Sequence, residues 1–103
     1  LTGSADAVGD WWRDVAGPGR GIDTARWAVL SPNLLGSRYG STGPSTYGRR
    51  TWPGVTTRDQ ARLAWALLDE LGVDRPALVV GGSLGGMVAL EVAATRPDRP
   101  RAT

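Results

Sequence analysis

Gly81, Ser83 and Gly85 alternate in the run Ala77-Leu78-Val79-Val80-Gly81-Gly82-Ser83-Leu84-Gly85-Gly86-Met87. A G-x-S-x-G pattern between a short apolar run and a small-residue segment marks a sharp strand-to-helix turn that presents a serine hydroxyl as a nucleophile. Such a turn is crowded, so the positions two before and two after the serine must carry no bulk. The N–H of the next residue, Leu84, would face the place where an oxyanion forms, at a helix start whose dipole favours negative charge. Ser83 is therefore the candidate nucleophile and Leu84 a candidate oxyanion-hole donor.

Other glycine-rich chemistries fit the same stretch less well. A phosphate-binding G-x-x-x-x-G-K-[ST] loop would place lysine at 87, where this chain has Met87. The dinucleotide pattern G-x-G-x-x-G fails because no glycine lies two after Gly81 or Gly82. A plain turn in which Ser83 only caps the following helix stays open, since G-x-S-x-G is short. Glu91, the one acid in that helix, sits two turns below Ser83, too far for an acid/base partner.

Composition narrows the possibilities. The chain has 103 residues, room for one small domain. It has no cysteine, which removes disulfides and thiolate metal sites, and no histidine. All 12 basic residues are arginine, against 10 acids, and they are scattered. That distribution reads as solvated surface, with no clustered stripe for nucleic acid. No apolar run approaches a membrane span and no signal-peptide pattern opens the chain, so the expected location is cytoplasmic.

The elements that must position Ser83 follow from local pattern. Trp27–Leu30 and Ala77–Gly81 are continuous and apolar, as buried parallel strands should be. A helix is expected over Arg58–Leu71, with Thr57 and Gln60 as its capping box and Gly72 as its C′ residue. A second helix is expected over Leu84–Arg96. Its Gly85, Ala89 and Ala93 would lie close on the sheet while Met87, Leu90 and Ala94 face a further apolar layer. Asp10 to Val15 reads as a helical turn capped by Asp10, with Trp11 and Trp12 in packing. Between Ser31 and Pro44 lies a long loop rich in glycine, serine and asparagine, expected to be structured by specific turns. Ser45 to Gly54 reads as an exposed connection. Helix, short loop, strand, serine turn and helix make an α/β crossover.

In order, the segments LTGSA, GPGRGIDTARW, NLLGSRYGSTGPST, VTTRDQARL and LVVGGSLGGMVALE resemble the homoserine O-acetyltransferases of the α/β-hydrolase fold. The resemblance runs from Leu1 to about Arg99. N-x-L-G-x-x-x-G-S-T-G-P and T-x-R-D ahead of G-G-S-x-G-G-M are not general hydrolase features. Many members carry methionine after the serine, where this chain has Leu84. The resemblance implies a partial α/β-hydrolase domain over residues 1–103, a parallel sheet with flanking helices. It also implies acyl transfer from acetyl-CoA to L-homoserine through an acyl-serine intermediate, a step toward methionine. In that reading Ser83 is the nucleophile, Leu84 gives one oxyanion donor and Leu1 the other. Acetyl-CoA is then a substrate rather than a bound cofactor, no metal is needed, and the partners are small molecules with neither nucleic acid nor membrane. The parent protein would be a homodimer. Succinyl-CoA as donor and serine as acceptor occur among relatives, and these motifs do not separate them.

The chain departs from that pattern as well. The family's histidine, aspartate and carboxylate-binding arginine lie beyond its nucleophile, and with no histidine here a Ser-His-Asp triad cannot be assembled from these residues. Both ends look cut, and Pro100 stands where an apolar strand should begin, which reads as truncation or a change of frame. The expectation is an internal piece of such an enzyme, inactive on its own. Two other readings stay open: an esterase using the same serine with water as acceptor, and a non-catalytic remnant that binds a partner through an unfinished sheet.

Overall fold

The computed structural model describes residues 5–37 and 39–103. Its centre is a pair of helices. Helix α2 spans Thr57–Glu70 and helix α3 spans Leu84–Thr95, while α1 is a single turn, Pro44–Tyr47, in the exposed connection.

Helix α2 starts one residue earlier than its sequence pattern suggests. Thr56 is the N-cap: its hydroxyl accepts the Asp59 N–H at 3.2 Å, and the Asp59 carboxylate accepts the Thr56 N–H at 3.0 Å. The capping box is thus Thr56/Asp59 rather than Thr57/Gln60. Adjacent threonines offer the same capping chemistry, and the shorter acid at the third helical position closes the ring. At the other end Gly72 adopts φ 70°. The N–H of Gly72 reaches the Asp69 carbonyl and that of Val73 the Leu68 carbonyl, a Schellman closure that requires the left-handed residue glycine supplies.

The two helices bury one stripe each against the other. Ala61, Trp65, Val88 and Val92 form the core, with Ala64, Leu68 and Val79 packed on it. On α3 the buried residues are Gly85, Val88, Ala89 and Val92. Met87 and Leu90, expected to face an apolar layer, are instead exposed at 61% and 68%, and Ala94 is exposed too. The indole N–H of Trp65 donates to the Val92 carbonyl at 3.0 Å and to Thr95 Oγ1 at 3.1 Å. Cross-links step upward together: Arg58 to Glu91, Trp65 to Val92, Asp69 to Arg96. Hence α2 and α3 run parallel, as successive crossover helices must.

Arg99 fastens the return of the chain. Its guanidinium lies 4.5 Å from the Trp65 ring centroid, donates to the Val73 and Asp74 carbonyls and pairs with Asp69. That hydrogen bond from Arg99, with a further one from Arg96 and against some desolvation, holds the Asp69 carboxyl below its ordinary 3.8. A carboxyl depressed on folding adds stability above its unfolded pKa, and that contribution disappears as pH falls through the folded value. The stability gap between wild type and Asp69→Asn, read from urea midpoints, should therefore be constant near neutrality and close as pH drops below about 3.8. A gap unchanged down to pH 2 would contradict the pairing.

The strands differ most from expectation. Two short strands, β1 (Ala16–Gly17) and β2 (Ile22–Asp23), pair in parallel with Ala16 opposite Ile22. Asp23 pins the turn between them by accepting the Gly19 and Ala25 N–H groups. Neither Trp27–Leu30 nor Ala77–Gly81 is a strand, and Trp27–Leu30 is exposed throughout. A strand is defined by a neighbour, and among the described residues none forms a ladder with Trp27–Leu30. Along Ala77–Val80 burial alternates as in a strand, Ala77 and Val79 half-buried and Leu78 and Val80 exposed. The segment has an irregular companion: Arg101 N–H donates to the Pro76 carbonyl at 3.0 Å, and Val79 N–H to the Ala102 carbonyl at 2.9 Å. Both bonds advance in the same direction along the two segments. The chain therefore leaves Ala77–Val80, crosses over through α3 and returns beside it in parallel. Pro100, which has no N–H to give, precedes the pairing by one residue.

The N-terminal turns also differ. Residues 7–15 form successive turns rather than a helix, and the capping carboxylate is that of Asp6, which accepts the Gly9 N–H, not Asp10. Trp11 is exposed at 55%; Ala7 and Ala16 are buried instead. Among the described residues no helix is long and apolar enough to cross a membrane.

Candidate active site

Ser83 stands between the Ala77–Val80 segment and the first residue of α3, with φ 53° and ψ −126°. It is the one non-glycine residue with positive φ among the described residues. Backbone held in such a region costs on the order of 1–3 kcal/mol and persists only where its surroundings impose it. The hydroxyl makes no capping hydrogen bond to the helix, and the residue is exposed. A serine kept for helix capping would have extended backbone and its oxygen on an N–H of the first turn. Ser83 has neither.

The flanking glycines explain how the turn closes. A Cβ on Gly81 would overlap the Gly85 carbonyl and come within 2.8 Å of the Gly86 nitrogen. These are backbone atoms that cannot swing aside. A Cβ on Gly86 would meet the Gly81 carbonyl oxygen at 3.3 Å, and Gly85 itself is buried. The start of α3 thus lies directly on the residue two before Ser83, the crowding that the glycine spacing implies. Gly85 N–H closes back on the Gly82 carbonyl at 2.9 Å and Gly86 N–H on the Ser83 carbonyl at 2.9 Å. Leu84 is the first helical residue, so its N–H is among those a helix leaves without an intrahelical partner. Leu1, expected as the second oxyanion donor, lies outside the described residues.

No histidine is present among these 103 residues to serve Ser83 as its base. Glu91 is bound elsewhere, its Oε2 3.0 Å from Arg58 Nε. Among the described residues no group of three or more acids could hold a metal.

The long loop after Leu30 is structured, as its composition predicts. Asn33 Nδ2 donates to the Tyr39 carbonyl, Ser41 Oγ donates to the Asn33 carbonyl at 2.9 Å, and Gly36 N–H reaches the Thr42 carbonyl at 2.8 Å. Gly36 and Gly40 take φ of 84° and 88°. The loop is tied to α2 by Gln60. Gln60 Oε1 accepts the Leu35 N–H and its Nε2 donates to the Leu35 carbonyl, both at 2.9 Å. Sequence reasoning placed Gln60 in a capping box and missed this role, because the partner is 25 residues away. Between loop, α2 and Val88 lies a cleft of about 390 Å³.

Comparison with known proteins extends these observations. The family described as the alpha/beta hydrolase fold matches residues 1–102. Homoserine O-acetyltransferase of Geobacter sulfurreducens is 48% identical over 98 residues, 88% of this chain and 27% of that protein. The enzyme of the same name from Thermus thermophilus is 52% identical over 96 residues, covering 86% and 25%. That from Thermobifida fusca is 46% identical over 116 residues, covering 98% and 31%. The chain spans between a quarter and a third of the length of these relatives.

Proposed function

The chain belongs to the α/β-hydrolase fold family, and from that premise we propose that it carries the nucleophile segment of an acyltransferase that moves an acetyl group from acetyl-CoA to L-homoserine. The observation that carries this reading is the Ser83 turn: strained backbone, an exposed and uncommitted hydroxyl, and a helix start at Leu84. In that reading Ser83 Oγ attacks the thioester carbonyl while a base takes its proton. Since these residues hold no histidine, that base comes from outside them. The oxyanion is held by the Leu84 N–H, with Leu1 as the second donor implied by the resemblance. The C–S bond then breaks, the thiol leaves with a proton, and an acetyl-serine remains. The homoserine hydroxyl attacks this ester, transfers its proton to the base, and departs as the O-acetyl product with Ser83 restored. The resemblance in the loop and helix motifs around Ser83 favours this acceptor over water.

The test is steady-state kinetics of the full protein. Parallel double-reciprocal lines for acetyl-CoA and homoserine, with O-acetylhomoserine as product, are the expected result of a two-step transfer. Release of free acetate with no acetylated amino acid would make the protein a hydrolase. A preference for succinyl-CoA or for serine would keep the acyl-serine chemistry and change the substrates.

A further inference from the structure

Three of the 12 arginines, scattered in sequence, are gathered by the fold. Arg58 and Arg62 stand with Trp65 on one face of α2, and Arg96 ends α3. With Ala94 and Thr95 they wall a cleft of about 440 Å³ between the two helices. Each guanidinium meets a carboxylate. Arg58 Nε lies 3.0 Å from Glu91, a terminal nitrogen of Arg62 3.3 Å from Asp59, and one of Arg96 2.9 Å from Asp69. These contacts engage one nitrogen of the three in each fork. The arginine side chains are 59%, 69% and 44% exposed, so the pairs are screened by solvent and yield readily to a better acceptor.

Two of the three forks are also held in place. Glu91 fixes Arg58, and Arg96 lies 5.4 Å from the ring centroid of the buried Trp65. Such preorganisation lowers the ordering cost of binding. Trp65 and Thr95 commit their own polar atoms to the helices. The indole N–H donates to the Val92 carbonyl and to Thr95 Oγ1, and the Thr95 hydroxyl donates to the Glu91 carbonyl. What the cleft offers a ligand is therefore guanidinium N–H groups from both helices, a geometry matched to the oxygens of phosphate. One carboxylate, with two oxygens and a single charge, satisfies one fork. A phosphate-type anion has the oxygens and the charge to bridge α2 and α3. The start of α2 and the end of α3 carry partial charges of opposite sign, so the helix dipoles do not decide the matter.

The cleft is remote from the nucleophile. Ser83 precedes α3 and Arg96 follows it, and the 12 helical residues between them span about 18 Å. In parallel α/β architecture substrates bind at the carboxyl ends of the strands, the end from which α3 starts. We infer that Arg58, Arg62 and Arg96 form a second, non-catalytic site that binds a phosphate-type polyanion across α2 and α3. Inorganic pyrophosphate titrated into the full protein and followed by calorimetry should bind at one equivalent per chain, and Ser83→Ala should bind it as the wild type does. Arg62→Gln and Arg96→Gln should each weaken binding about tenfold or more, the scale of a lost charge-assisted hydrogen bond. Arg62 is largely exposed, so its variant stays readable if Arg96→Gln, which alters the contact with Trp65, does not fold. Arg49→Gln removes an exposed positive charge outside the cleft and should leave the affinity within about twofold. Saturating acetyl-CoA should not displace the pyrophosphate. No binding by the wild type, or equal weakening by Arg49→Gln, would overturn the site. Displacement by acetyl-CoA would place the anion where the donor's own phosphates bind and would overturn it as a second site.

Discussion

Replacing Ser83 by alanine in the full protein should lower turnover on the order of 10⁶-fold, the usual cost of deleting the nucleophile of a serine-based acyl transfer. The fold should barely respond. The Ser83 hydroxyl caps nothing and is exposed, so its loss should change stability by less than about 0.5 kcal/mol. The combination separates chemistry from structure. A variant that loses activity because it unfolds would show a lowered urea midpoint, whereas Ser83→Ala should melt with the wild type.

Gly81→Ala should do the opposite, damaging both. The added Cβ would overlap the Gly85 carbonyl, and both partners are backbone. Relief requires α3 to move away from the turn, which would cost about 3 kcal/mol by the scale of overpacking effects. The same movement would displace the Leu84 N–H from any oxyanion forming at Ser83. Gly54→Ala is the matched control: a Cβ there meets nothing within 4 Å, and its φ lies outside the left-handed region. Equal urea midpoints for the two variants would show that the Gly81–Gly85 approach is not tight.

How much of this could be read from sequence depends on how local the physics is. The Ser83 turn was legible because steric crowding writes glycine at fixed offsets from the serine. Helix α3 ended one residue short of the expected Arg96, and α2 began one residue early because Thr56 and Thr57 offer the same cap. Gly72 was legible too, since the left-handed C′ position selects glycine on its own. The strands were not. Trp27–Leu30 has the composition of a buried strand, but pairing depends on what lies beside it, and that is not written in four residues. Long-range ties were equally hidden. Gln60 meets Leu35 across 25 residues, and Arg99 reaches Asp69 across 30. Neither carries a local signal, because glutamine and arginine are ordinary surface residues at those spacings. Nor did the apolar spacing of α3 show which side would be covered: Met87 and Leu90 are as apolar as Val88 and Val92, yet only the latter meet α2.

The most direct test is mass spectrometry of the full protein after brief exposure to acetyl-CoA without acceptor, with the peptide containing Ser83 sequenced. An acetyl group on Ser83, discharged when homoserine is added and absent from Ser83→Ala, is the predicted result. An acetyl group on another residue, or O-acetylhomoserine formation that survives Ser83→Ala, would show that the strained serine turn is not where the acyl group is carried.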